Sequence, residues 1–312
     1  MKVRPIDRRD VKGTMNNKTG LLTRGAHFTV VIDGSPTDSG VVSWSAALAH
    51  KTGAQLDLVY TMPISGWSAA MAASLETSDY PSQLRRRGQE HLDDATRLVR
   101  EADLDTELST SVSELSPARL AEKAAEHATM LIVGGGESGP LRDVVFGSST
   151  ITMVNAATCP VLVWRPKRED TPGEARPIVV GVDGSQHSKR ALAAAFELAN
   201  ALEVELLAVH IGAVQETDEL DYGTSIDWQH LRAAERKWLQ NIVEPYRADY
   251  PSVAVEALSV GASAARELRA LSATAQILVV GSRGHGRVAG LLLGSVSHNL
   301  VHHAECPVLV VH

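Results

Sequence analysis

The feature that most constrains this chain is a long internal repeat. The segment HFTVVIDGSPTDSG beginning at His27 returns as PIVVGVDGSQHSKR beginning at Pro177, which sets Asp33, Gly34 and Ser35 against Asp183, Gly184 and Ser185 at a shift of 150 residues. Further along, MLIVGGGESGPLRDVVFGSS from Met130 matches ILVVGSRGHGRVAGLLLGSV from Ile277 at a shift of 147, and both copies finish on Cys-Pro-Val-Leu-Val, from Cys159 and from Cys306. A duplication on this scale predicts two similar domains, each with a core of its own. Between the copies, RPKREDTPGEARP (165–177) carries three prolines, one glycine and mixed charges. It reads as a linker, because it has no periodic apolar face to bury. The predicted boundaries are therefore 26–164 and 177–312, joined by a linker over 165–176. Residues 1–25 set Lys2, Arg4, Arg8, Arg9, Lys12, Lys18 and Arg24 against Asp7 and Asp10 and lack the apolar stretch of a signal peptide. They are expected to form a disordered basic arm, with Met15 as an alternative start.

Within each copy, short β-branched runs alternate with longer helix-patterned segments, the pattern of βαβ units and a parallel sheet. In the second copy the strands are predicted at 178–182, 205–210, 253–259, 277–280 and 308–311. Between the first two, Ala191, Leu192, Ala195, Leu198, Ala199 and Leu202 recur at spacings of three and four, which predicts a helix over 188–202 with one face on the sheet. The first copy repeats this over 43–50. Pro117 and Ala264 open the equivalent third helices, proline being well suited to a first helical turn.

Chemistry concentrates where the fourth strand of the second copy ends. Gly281-Ser-Arg-Gly284 is followed by nine residues and then Gly294-Ser295, ahead of a helix predicted over 296–303. Gly281 and Gly284 permit backbone of positive φ and close approach of a phosphate or ribose to the main chain. The helix start supplies free N–H groups and the positive end of the helix dipole, and Ser295 and Ser297 add hydroxyls. A loop that merely turns a strand into a helix is the plain alternative. Asp183 weighs against it, since open α/β sheets bind ligands beyond the carboxyl ends of their strands. An aspartate there accepts hydrogen bonds from an adenine amino group or a ribose hydroxyl, or else caps the following helix.

These residues resemble the universal stress protein family, in its ATP-binding branch. The family's phosphate motif, glycine, two residues, glycine, nine residues, glycine and then serine or threonine, is met by Gly281, Gly284, Gly294 and Ser295, and the likeness runs from His27 to the C-terminus. The resemblance implies an α/β fold of two tandem Rossmann-like α/β/α domains, each with a five-stranded parallel sheet. It implies adenine contacts to backbone at Val182 and Ile211 beside Asp183, and ribose and phosphate contacts at Val280, Gly281, Gly284, Gly294, Ser295, Val296 and Ser297. The ligand implied is ATP, with Mg2+ compatible as its counter-ion.

The first copy departs from the motif. Its cradle would be Asp33, Gly134, Gly147, Ser148, Ser149 and Thr150, but Glu137 takes the place of Gly284, and Pro140 removes a backbone donor. A carboxylate within about 4 Å of a phosphate costs on the order of 4 kcal/mol at an effective dielectric of 20, so weaker binding is expected there. Gly134, Gly136 and Gly139 also spell G-x-G-x-x-G, but after a fourth strand and without the acidic partner of a dinucleotide site. No Walker-type G-x-x-x-x-G-K-[ST] occurs. His298 and His302 stand four apart on the last helix without a carboxylate at motif spacing and are read as surface residues, so no metal site is assigned. Trp67, Met71, Tyr80, Tyr222 and Trp228 are candidates to cover an adenine ring or simply to pack.

Composition narrows the partners. Thirty basic residues against 37 acidic ones give a net charge of -7, which argues against nucleic acid or an anionic membrane. No apolar run approaches the roughly 20 residues of a spanning helix. Two cysteines, Cys159 and Cys306, without a CxxC spacing indicate neither a disulfide framework nor a zinc module and fit a reducing cytoplasm. No catalytic constellation is evident, so the expected function is a cytoplasmic stress-response regulator, not an enzyme, whose ATP occupancy changes its conformation or partners and whose ATP hydrolysis is slow or absent. The alternatives are an ATP-consuming adenylylating or phosphoryl-transfer enzyme on the same fold, and an interaction module with vestigial loops. The apolar final strands, 161–164 and 308–311, would be sheet edges. Edges invite pairing, and the resemblance implies that the two copies pair theirs as an intramolecular pseudo-dimer, with a further homodimer as an option.

Overall fold

The computed structural model describes residues 20–22, 25–62, 79–102, 105–134, 148–165, 175–212, 228–261, 263–284 and 293–312. In the first half, strands β1 (His27–Ile32), β2 (Gln55–Thr61), β3 (Leu108–Ser113), β4 (Met130–Gly134) and β5 (Val161–Trp164) alternate with helices α1 (Asp38–Thr52), α2 (Tyr80–Glu101), α3 (Pro117–Ala124) and α4 (Ser148–Ala156). The second half repeats the order with β6 (Ile178–Gly181), β7 (Leu206–Gly212), β8 (Val255–Gly261), β9 (Ile277–Gly281) and β10 (Val308–Val311), and with α5 (Gln186–Leu202), α6 (Trp228–Asp249), α7 (Ala264–Ser272) and α8 (Ser295–His303). Observed boundaries differ from the sequence expectations by a few residues. The largest change is at α1, predicted over 43–50 and found from Asp38, because the apolar pattern starts only at Val41 while the first turn is polar.

The strand order is β3-β2-β1-β4-β5-β10-β9-β6-β7-β8. Within each half all pairings are parallel. The central strands are apolar on both faces, as strands covered by helices on both sides must be: Phe28, Ile132, Leu162, Ile178, Val179 and Leu309 are fully buried. At the middle of the sheet β5 and β10 pair antiparallel, with Leu162 opposite Leu309 and Val161 opposite Val310. One face carries a core shared by α1, α2, α5 and α6 around Phe28, Leu92, Phe196 and Leu239. The other carries Leu120, Met153, Leu268 and Leu300 from α3, α4, α7 and α8. Both cores run continuously across the β5–β10 seam. Among the described residues no helix is long and apolar enough to cross a membrane.

The N-terminal segment differs in part from its expectation. Residues 1–19 lie outside the described residues, but Leu21 is buried in the core and Leu22 packs on it. The Leu22 N–H donates to the Glu197 carboxylate on α5, at 2.7 Å. Two leucines in a basic stretch were read as part of the arm; they suffice to anchor its end on the opposite half. Burial raises the Glu197 pKa, against the lowering effect of the Leu22 and Leu21 amides.

The two halves end their first helices differently. Gly53 closes α1 at φ 66, its N–H bonded to the Ala49 and His50 carbonyls. Glu203 holds the same position after α5 at φ 57, the one non-glycine of positive φ among the described residues. A Cβ in the left-handed region costs roughly 1–2 kcal/mol, part of which is returned by the greater freedom of glycine in the unfolded chain. Glu203→Gly is therefore expected to raise stability by about 0.5–1 kcal/mol, read as a higher denaturant midpoint at unchanged slope. A lower midpoint would show that the Glu203 side chain has a stabilising role of its own.

Candidate functional site

At the carboxyl end of β6 the chain turns into α5 through Val182, Asp183, Gly184 and Ser185. Gly184 has φ 87, which explains the glycine. Asp183 Oδ1 accepts the Ser185 N–H at 2.9 Å in an Asx turn. The helix cap is Ser185, whose Oγ accepts the Ser188 N–H at 3.2 Å, and the Gly184 N–H in turn donates to Ser188 Oγ at 3.1 Å. Asp183 is thus not the cap. Its second oxygen faces the phosphate-loop motif: a Cβ on Gly284 would overlap Asp183 Oδ2.

The described ends of that loop are held together by the backbone. The Ser282 N–H donates to the Val311 carbonyl at 2.7 Å and the Gly294 N–H to the Ser282 carbonyl at 2.8 Å. Ser297 was expected to present its hydroxyl to a ligand. Instead it is buried, with Oγ 3.0 Å from the Ser282 carbonyl and 3.0 Å from that of Gly294, so its proton is engaged in pinning the loop. Val182 is similarly engaged, its N–H donating to the Val209 carbonyl and its own carbonyl accepting from His210 Nδ1, each at 2.8 Å. Val280 is buried, whereas Ile211 is half-buried in β7. Gly294 is the N-cap of α8 at φ -71 and ψ 160. The first intrahelical bond runs from the His298 N–H to the Gly294 carbonyl, so the N–H groups of Ser295, Val296 and Ser297 face out of the helix start.

Positive φ is not what fixes these glycines, since Gly281, Gly284 and Gly294 are all outside the left-handed region. Space is the reason for Gly281. A Cβ on Gly281 would stand 2.8 Å from His187 Cβ and 2.9 Å from the His187 carbonyl carbon, where α5 crosses the strand end. At Gly284 the clash would be with Asp183 Oδ2, the end of a side chain that can turn aside. At Gly294 the nearest atom would be the Ser282 carbonyl at 3.5 Å, an ordinary contact, so packing alone does not demand glycine there.

Four basic residues that motif reading passed over gather at the same strand ends. Burial lowers the His187 pKa, and the Arg190 and Arg283 charges lower it further against the opposing pull of Asp183. Burial, His187 and Arg283 bring His312 down to about 4. Their scatter over 187, 190, 283 and 312 hid the cluster; its one local hint was a histidine and an arginine in the first turns after Asp-Gly-Ser.

The first copy builds the same turn with a different charge. Gly34 has φ 85 and Asp33 Oδ1 accepts the Ser35 N–H at 3.1 Å. Where the second copy has Ser188, the first has Asp38, whose Oδ2 accepts the Gly34 N–H at 2.7 Å and whose Oδ1 accepts the Ser35 hydroxyl at 3.2 Å. Burial, and then the charge of Asp33, raise the Asp38 pKa to about 6. His91 closes over Gly34 and stacks on Tyr60 at 5.4 Å. Between this turn and α2 lies a cavity of about 270 Å3 lined by Ser35, Asp38, His91 and Asp94, at the lower limit of ligand pockets, roughly 300 Å3. Thr150 Oγ1 donates to the Gly134 carbonyl at 3.4 Å, and Ser148 and Ser149 are exposed at the start of α4. Gly147, Glu137 and Pro140 lie outside the described residues, as do Trp67, Met71, Tyr222 and the side chain of Trp228. Tyr80 is exposed at the start of α2.

Two outcomes follow for stability. The native state binds the Asp38 proton more tightly than the unfolded chain does, so stability falls as pH rises from about 4 to about 6. Asp38→Asn keeps an acceptor for Gly34 and removes the charge. It is expected to add about 1–2 kcal/mol at pH 7.5, after allowance for partial exposure, and nothing at pH 4; equal effects at both pH values would contradict the assignment. Gly281→Ala is expected to cost about 1–3 kcal/mol by overpacking, and Gly294→Ala less than about 1 kcal/mol, both read from urea melts.

The universal stress protein family model matches this chain twice, over residues 26–165 and 174–312. A universal stress protein of Mycobacterium tuberculosis is 32% identical over 288 residues, covering 90% of this chain and 94% of the relative. One of Mycobacterium bovis is 33% identical over 300 residues, covering 92% and 97%. Among solved structures, a universal stress protein from Archaeoglobus fulgidus superposes with a TM-score of 0.68 at 16% identity, covering 91% of this chain and 97% of its own, a likeness of fold. With both halves matched and relatives of the same tandem length, the chain belongs to the universal stress protein family.

Proposed function

We propose that the second half of this protein binds ATP and that the protein acts as a regulator through nucleotide occupancy, without an active site of its own. The observation that carries the proposal is the meeting of three elements at one sheet end: the start of α8, Gly284 against Asp183, and the basic residues His187, Arg190 and Arg283. The N–H groups of Ser295 and Val296 would receive phosphate oxygens, aided by the helix dipole. Gly294 leaves the approach open. Asp183 Oδ2 would accept from a ribose hydroxyl or the adenine amino group, with Val182 and Ile211 alongside the base. Ser297 and Val280 then support the cradle from behind it.

The first half offers a poorer match to a phosphate. Asp33 and Asp38 both face its turn, and Ser188 has no hydroxyl counterpart there. Each half is a domain in this account, near 26–164 and 177–312, and the β5–β10 seam is the internal interface of a pseudo-dimer in a cytoplasmic protein. Mg2+ would accompany the phosphates in place of a dedicated side-chain site.

Calorimetric titration of the full chain with ATP at pH 7.5 tests the proposal. One site per chain is expected, and Gly294→Ala should weaken it by about tenfold, equivalent to about 1.4 kcal/mol, while the melt stays close to that of the wild type. Absence of binding sinks the proposal. Conversion of ATP to ADP or AMP at an enzyme's rate, about 1 per second or faster, would contradict its regulatory part.

A further inference from the structure

The last helix carries a second cluster that plays no part in the nucleotide site. His298 and His302 lie one turn apart on α8, and their ring centroids are 4.7 Å apart at an interplanar angle of 60°. His303 follows at 6.0 Å from His302. His298 and His303 are exposed and His302 is partly exposed. The opposite side of this helix, Leu300 and Val301, is fully buried in the core, so the backbone that presents the two rings is fixed.

Sequence spacing alone left this pair as ordinary surface residues. The geometry adds that the two rings converge instead of splaying apart. Two imidazole nitrogens that share one metal at about 2.0–2.1 Å each come within roughly 3–3.5 Å of one another, which centroids this close allow with small rotations of the side chains. The pair also sits in the last turns of α8, where the carbonyl end of the helix favours a cation. The Arg165 guanidinium, bonded to the Val301 carbonyl beneath the same turn, opposes a positive charge there. Coordination by neutral imidazoles depends on lone pairs more than on net charge, so that opposition weakens the site without removing it.

We infer that His298 and His302 form a two-imidazole chelate for a borderline divalent transition metal of the Zn2+, Ni2+ or Cu2+ class on the outer face of α8. Among the described residues no group of three or more histidine, cysteine or carboxylate side chains gathers at metal-binding distance. The remaining positions on the metal therefore belong to water or to an external ligand, which makes the site open and exchangeable. Imidazole donors select against Mg2+ and Ca2+. The first half has Ile151 and Asn155 at the matching positions, so one site per chain is expected. The inference does not depend on ATP binding.

The test is calorimetry with NiCl2 and with ZnCl2 on the untagged full chain at pH 7.5, comparing wild type with His298→Ala, His302→Ala and His303→Ala. The helix fixes the second ring at a high effective concentration once the first has bound, so either of the first two substitutions should weaken the tightest step by on the order of 100-fold. His303→Ala should leave it in place. His298 is exposed, so its variant should melt as the wild type does and separates lost ligation from lost folding. Binding at unchanged affinity and stoichiometry in His298→Ala overturns the inference, as does a wild type without a saturable step near one metal per chain.

Discussion

Most of this architecture depends on one seam, the antiparallel pairing of β5 with β10. Each strand is short, apolar on both faces and the last of its unit, and each would leave a row of backbone groups unpaired. Setting Leu162 against Leu309 and Val163 against Val308 removes both edges together and merges the helical layers into two continuous cores. The edges that remain are β3 and β8. At one of them, β3, the exposed residues Ser109, Thr110 and Ser111 are polar. Because the seam is antiparallel, the carboxyl ends of the two parallel half-sheets point in opposite directions, and the two candidate sites are kept apart.

That separation let the two turns diverge on one scaffold. Each has an aspartate closing an Asx turn, a left-handed glycine and a serine, but the fifth residue after the aspartate is Ser188 in one and Asp38 in the other. A hydroxyl can donate or accept; an ionised carboxylate can only accept, and beside Asp33 it repels an anion. The first half also replaces His187 by Thr37 and Arg190 by Gly40, and the space above Gly40 is filled by Trp164. One sheet end thus carries Arg190 where the other has Gly40, and Ser188 where the other has Asp38, while the strands beneath are alike.

The fold was legible because its signals are periodic and repeated: two copies of the same run of β-branched strands and amphipathic helices leave little room for another arrangement. The site was legible only where residues cluster in sequence. Gly284 and Asp183, a hundred residues apart, were picked separately, and their contact belongs to three dimensions. The bonds of the Ser297 hydroxyl to the Ser282 and Gly294 carbonyls were not legible, because spacing gives a residue's place on a helix and not which way its hydroxyl turns. The glycines were assigned to positive φ and to close approach of a ligand, whereas at Gly281 the neighbouring helix already leaves no room for a Cβ. Asp38 escaped notice because an acidic residue in a first helical turn is commonplace; only its bond to the Gly34 amide marks it as part of the turn.

Amide hydrogen exchange on the full chain, with and without saturating ATP, tests most directly whether the start of α8 and the turn after β6 form one nucleotide cradle. The account predicts slowed exchange at residues 183–185 and 294–297 together, and no change at 33–35 or 148–150. Protection confined to the first half, or spread evenly over both, would contradict it.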